Sequence, residues 1–114
     1  MKIELIRVEK PQDKVVVDKL PAILGRDPAA DVHLEDSWVG QMQCILDVEG
    51  GVLHVMDLGT RLGTFVNGHR VQQATLLPGD QFTVGRTTFL VQYEPASHPE
   101  PPPAESTSTS ASRT

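Results

Sequence analysis

Along the first 94 residues, apolar and polar positions alternate in short runs, the period of half-buried β-strands. Ile3 and Leu5, with Arg7 in register, face one way; Glu4, Ile6 and Val8 face the other. Val15-Val16-Val17 is β-branched throughout, and Ala22-Ile23-Leu24 runs up to Gly25. Asp31-Val32-His33-Leu34 alternates again. Ile45, Asp47 and Glu49 alternate with Leu46 and Val48, and Val52-Leu53-His54-Val55-Met56 follows. Gly85 separates Gln81–Val84 from Thr87–Tyr93. No stretch combines helical periodicity with caps.

The breaks between runs carry turn chemistry. Gly50-Gly51 and Asn67-Gly68 stand between strand-like runs, and a type I′ hairpin turn needs positive φ at both central residues. In Leu77-Pro78-Gly79-Asp80, proline presets φ at the first corner of a type II turn and glycine takes the left-handed second corner. Turn signals roughly every 8–12 residues predict an all-β sandwich.

Composition changes this picture at one place. From Pro95 to Thr114 the chain holds no large apolar residue. Such a segment buries too little surface to offset its ordering entropy, so residues 95–114 read as a disordered Pro/Ser/Thr-rich tail or linker after a domain spanning 1–94. Ser106 to Ser110 offers hydroxyls to a kinase, but a solvated linker explains them as well. The chain has 114 residues, 39% of them hydrophobic, which suffices for one small core. The net charge of -5, with no Lys/Arg run, argues against tracking a nucleic-acid backbone. The N-terminus alternates and resembles neither a signal peptide nor a membrane span, which points to the cytoplasm. A monomer is the default.

Catalytic chemistry finds little support. Cys44 is the only cysteine and sits in the apolar run Cys44-Ile45-Leu46, which reads as a buried hydrophobe. His33, His54, His69 and His98 are scattered without metal-ligand spacing. Asp27, Asp31, Asp36, Asp57 and Asp80 stand mostly at strand ends, where aspartate bonds the local backbone. No cofactor, metal or catalytic residue is expected, and the chain reads as a non-enzyme.

Several segments, in order, form a pattern. Gly25-Arg26 ends one strand. Asp57-Leu58-Gly59 ends another, and Gly63-Thr64-Phe65-Val66-Asn67-Gly68 follows. Leu77-Pro78-Gly79-Asp80 and Val84-Gly85 close the series. This order resembles the forkhead-associated (FHA) domain over nearly the whole globular part. The resemblance implies the SMAD/FHA-type β-sandwich. That fold has two packed, mostly antiparallel sheets of about eleven short strands, with termini together and binding loops at the opposite end. It also implies a signalling or adaptor module that binds phosphothreonine peptides through its loops.

Family members hold the phosphate with a loop arginine, a serine and a nearby polar residue, completed by Thr or Ser in a later loop. An asparagine beside that residue fixes the peptide backbone. Arg26 matches the arginine. Gly40 stands in place of the serine, Gln41 in place of the polar residue and Gln43 in place of a histidine that ties the loops. Arg61 replaces the Thr/Ser, Leu62 replaces the asparagine, and Thr60 precedes them.

Three readings stay open. In the first, an altered phosphate site works through Arg26 and Arg61, with Thr60 helping, Gln41 as a neutral donor and Gly40 exposing a backbone N–H. In the second, the domain binds an unmodified protein surface, with Leu62 as an apolar contact. In the third, Arg61 and Leu62 have no role. Arg26 has a plain alternative as the surface partner of Asp27. Gln43 reads as structural, since an amide donates and accepts. Gly25, Gly59 and Gly63 read as backbone requirements. Trp38 divides evenly between core packing and an exposed partner anchor.

Overall fold

The computed structural model describes residues 2–94; the expected tail at 95–114 lies outside them. The described residues contain no helix. Eleven strands follow one another: β1 (Ile3–Arg7), β2 (Lys14–Val17), β3 (Ala22–Gly25), β4 (Val32–His33), β5 (Cys44–Glu49), β6 (Val52–Asp57), β7 (Thr64–Val66), β8 (His69–Val71), β9 (Gln73–Leu76), β10 (Gln81–Val84) and β11 (Thr87–Gln92). They form a six-stranded sheet in the order β2-β1-β11-β10-β7-β8 and a five-stranded sheet in the order β4-β3-β5-β6-β9. Every pairing is antiparallel except β3 with β4. Among the described residues, no helix is long and apolar enough to cross a membrane.

The turns act as their sequences dictate. Gly50 and Gly51 both have positive φ, 63° and 82°, and Glu49 faces Val52 across the hairpin. Asn67 and Gly68 sit at 50° and 85° between paired Val66 and His69. Gly79 sits at 93°, and the Asp80 N–H donates to the Leu77 carbonyl at 2.9 Å, closing the type II turn.

Alternation builds the core. Ile3, Leu5, Val84, Phe89 and Val91 from one sheet meet Leu24, Cys44, Leu46, Leu53 and Leu76 from the other, all fully buried. Phe82 and Phe89 face each other across β10 and β11 with ring centroids 5.4 Å apart. Tyr93 ties the sheets beyond β11: its hydroxyl donates to the Leu76 carbonyl at 2.5 Å and accepts from the Leu53 N–H at 3.1 Å. Residues of β1 pair with residues of β11, Glu4 opposite Gln92, so the two ends of the domain lie together. The loops after β3, β4 and β6 converge instead around Gly25, Gly40 and Thr60, where backbone and side-chain bonds join them.

Candidate functional site

The first of these loops leaves β3 at Gly25, which is buried. A side chain there would collide with the Gln41 carbonyl oxygen. Without one, the segment before β5 lies directly on β3: the Arg26 N–H donates to the Gly40 carbonyl at 2.9 Å and the Asp27 N–H to the Gln41 carbonyl at 3.1 Å. The Arg26 Nε also donates to the Val39 carbonyl at 3.1 Å, which fixes the guanidinium stem.

The loop after β6 is folded around Asp57. Its Oδ2 accepts the N–H groups of Gly59 and Thr60, each at 2.9 Å. Its Oδ1 accepts the hydroxyls of Thr60 at 2.6 Å and Thr64 at 2.8 Å. Burial pushes this carboxyl up, but those bonds outweigh it and hold it below the usual carboxylate range. Gly59 and Gly63 have φ of 79° and 90°, which a β-carbon disfavours. The missing side chain at Gly63 also leaves room for Arg70, whose Nη2 donates to the Arg61 carbonyl at 3.3 Å.

Gln43 joins the two regions. It is 1% exposed, and its Oε1 accepts the Gly40 N–H at 2.7 Å. Its Nε2 donates toward the Gly63 carbonyl at 3.0 Å, the Thr64 hydroxyl at 3.1 Å and the Thr60 hydroxyl at 3.2 Å. A buried amide with both ends satisfied is a cross-brace between loops.

Asp36 anchors the loop after β4. Its Oδ1 accepts the Trp38 N–H at 2.9 Å, and its Oδ2 accepts the Arg86 N–H and the Thr87 hydroxyl, each at 2.8 Å. Burial raises this carboxyl, but the bonds and the Arg86 charge prevail and lower it. Trp38 is therefore held outward, 51% exposed, with the Arg86 guanidinium 5.7 Å from its ring centroid. Of the two readings left open for Trp38, the structure selects the surface.

Together the loops enclose a cleft of 480 Å³. Arg26, Trp38, Gly40, Thr60, Arg61 and Leu62 line it, as do Ser37, Val39 and Gln43. Gln41 is exposed and is not among the lining residues; its carbonyl is spent on Asp27. Two expectations are corrected. The Gly40 N–H is not exposed for a ligand, because Gln43 takes it. Arg26 does not pair with Asp27: the ion pairs among the described residues are Arg7 with Asp13 and Lys14 with Glu4. The Asp27 carboxylate accepts the Ala29 N–H instead. The Thr60 hydroxyl lines the cleft but donates to Asp57 and accepts from the Gly63 N–H, with the Gln43 amide nitrogen 3.2 Å away, so it is tied to the loop. Asn67 and Gly68 lie away from the cleft, in the β7–β8 turn, where the Asn67 side chain bonds Asp80 and the Gln81 N–H.

Ser37, Val39, Arg70 and Arg86 did not stand out in the sequence as site residues. Ser37 and Val39 flank Trp38 and were within reach of that signal. Arg70, in β8, and Arg86, in the β10–β11 turn, are distant from the loop residues in the chain, and only the fold sets them beside the Arg61 carbonyl and the Trp38 ring. Cys44 is fully buried and its thiol is pushed up to about 12, by burial first and then by Asp57, so it is not a nucleophile. Among the described residues, no group of three or more His, Cys, Asp or Glu side chains is placed to hold a metal ion.

Residues 22–85, more than half of the chain, match the family model of the FHA domain. Glycogen accumulation regulator GarA of Mycolicibacterium smegmatis is 31% identical over 84 residues, 74% of this chain and 53% of that protein. The chain thus spans about half the length of the curated relatives it matches. A structure from a structural and functional study of phosphothreonine-dependent FHA domain interactions superposes with a TM-score of 0.76 and 25% identity, covering 83% of this chain and 99% of that one. The FHA domain of FhaA, crystallised with the intracellular domain of Rv3910, superposes with a TM-score of 0.73 and 26% identity, covering 79% of this chain and 99% of that one.

Proposed function

The chain belongs to the forkhead-associated (FHA) domain family, and from that membership we propose that it binds a phosphothreonine segment of a partner protein in the cleft of Arg26 and Arg61. It acts by binding and not by catalysis. The observation that carries this reading is the state of the two arginines. Both line one cleft, in a protein of net charge -5, and neither forms an ion pair among the described residues. Arg26 is held by its Nε on Val39, so its two terminal nitrogens remain for a forked, charge-assisted grip on phosphate. Arg61 brings a second positive charge at the position where the FHA resemblance implies a Thr or Ser hydroxyl. The Ser37 hydroxyl stands in the same lining as a neutral donor.

The FHA structure from the study of phosphothreonine-dependent interactions supports the assignment, since it shares this fold over 99% of its own length. The naming of GarA as a regulator supports a regulatory role.

A second reading, recognition of an unmodified protein surface, draws on the exposure of Trp38 and Leu62 at the same cleft. Amide shift mapping separates the two. A phosphothreonine peptide should move the amides of Arg26, Ser37, Arg61 and Leu62, and its unphosphorylated twin should leave them in place. Identical shifts with both peptides would favour the second reading.

A further inference from the structure

Arg70 belongs to β8 and does not line the cleft, yet its side chain reaches back to the residue that brings the second positive charge. Its Nη2 donates to the Arg61 carbonyl at 3.3 Å. We infer that Arg70 is a positioning residue of the phosphate site, which holds the backbone of Arg61 so that the Arg61 guanidinium meets the phosphate. This inference rests on the phosphopeptide reading and adds to it a residue that touches no ligand.

The loop shows why such a support is needed. Asp57 accepts the N–H groups of Gly59 and Thr60 and the hydroxyls of Thr60 and Thr64. Gln43 bonds Thr60, Gly63 and Thr64. These bonds pin the loop on both sides of Arg61 and Leu62 and reach neither. A Thr or Ser hydroxyl stands one rotatable bond from the backbone, so a pinned loop places it. A guanidinium stands at the end of a long flexible stem, and each further freedom it keeps costs affinity when it is ordered. A loop that carries arginine at this position therefore gains from a bond at the arginine itself.

Arg70 is built to supply that bond. It lies opposite Phe65 in the β7–β8 ladder, which fixes its backbone. Its side chain crosses the bare face of Gly63: a β-carbon built there would lie 2.9 Å from the Arg70 Cζ and closer still to its Nε. The glycine is the bed on which the planar group rests. A lysine ends in a point charge with no flat group to lie there. Among the described residues no carboxylate pairs with Arg70 and draws it away from Arg61.

Calorimetric titration with a phosphothreonine peptide and its unphosphorylated twin tests this role. The proteins are the native chain, Arg70→Gln, Arg70→Lys, Arg61→Ala and the Arg61→Ala/Arg70→Gln double variant, each also unfolded in urea. Arg70→Gln should weaken the phosphorylated peptide about fivefold, the scale of ordering one long side chain at an interface. Arg70→Lys should recover less than about half of that loss, because charge alone does not hold the loop. Once Arg61 is alanine, Arg70→Gln should change affinity by less than about 1.5-fold, because the two residues act as one. The urea midpoints of the Arg70 variants should stay at the native value, since position 70 is exposed. Native affinity in Arg70→Gln, full recovery in Arg70→Lys, or the same loss with and without Arg61 would overturn the inference. So would a loss of affinity matched by a loss of stability. Each of these leaves the phosphate reading standing as long as the native protein prefers the phosphorylated peptide. Equal affinity of the native protein for the two peptides would overturn the phosphate reading and the positioning role with it.

Discussion

The space that a side chain at Gly40 would need is filled by Thr60. A β-carbon built on Gly40 would lie 2.9 Å from the Thr60 γ-methyl and 3.3 Å from the Gln43 Oε1. The glycine that replaces a phosphate-binding serine and the threonine that precedes Arg61 are therefore one steric unit. Gly40 has no positive φ, so only space, and not backbone conformation, resists a side chain there.

Restoring the serine should accordingly fail on its own. Gly40→Ser is expected to lower stability by about 1–3 kcal/mol, the usual cost of overpacking. Combined with Thr60→Ser, which removes the methyl and keeps the hydroxyl, most of that loss should return. Urea denaturation of the four members of this cycle measures the coupling. Additive effects of the two changes would show that the methyl is not what resists the serine.

Gln43 predicts a larger loss. Gln43→Leu strips the Gly40 N–H, the Gly63 carbonyl and the Thr64 hydroxyl of a buried partner at once. Unsatisfied buried groups make this a change of about 2–4 kcal/mol. The amide signals of residues 59–63 should broaden as the loop loosens. A loss below about 0.5 kcal/mol, the range of ordinary surface changes, would mean that the brace contributes nothing.

The turns at Gly50-Gly51, Asn67-Gly68 and Pro78-Gly79 were legible because positive φ is a local demand met by few residue types. The strands β8 and β9 left almost no trace. They border the ends of their sheets, and only Leu76 among their residues is buried, so alternation is faint. The parallel pairing of β3 with β4, Leu24 beside Val32, is likewise set by the fold and not announced by alternation. At the site, the aspartates at strand ends do bond local backbone, but the Asp57 and Asp36 carboxylates also reach across loops, to Thr64 and to Arg86 and Thr87. The use of the Gly40 N–H by Gln43 is equally invisible in the chain. Both groups look available until the fold brings them 2.7 Å apart.

Asp57 and Asp36 set an expectation for acid. Both carboxyls are held lower in the folded protein than in the unfolded chain. Their contribution is therefore present above the unfolded value of about 4 and is lost as pH falls through their lower folded values. The urea midpoint should drop steadily between about pH 5 and pH 2.5. Asp57→Asn should lower stability at neutral pH, because an amide keeps only one of the two accepting oxygens, and should flatten that acid limb, because nothing at this position then titrates. Parallel acid limbs for the two proteins would exclude Asp57 from the transition.

The central claim is that Arg26 grips phosphate in the cleft it shares with Arg61. Calorimetric titration of the native protein and Arg26→Ala, each with a phosphothreonine peptide and its unphosphorylated twin, tests it most directly. The account predicts binding that needs the phosphate and falls by at least about tenfold in Arg26→Ala, the scale of a charge-assisted hydrogen bond lost. Equal affinity for the two peptides, or an Arg26→Ala protein that binds the phosphorylated one as well as the native protein does, would contradict it.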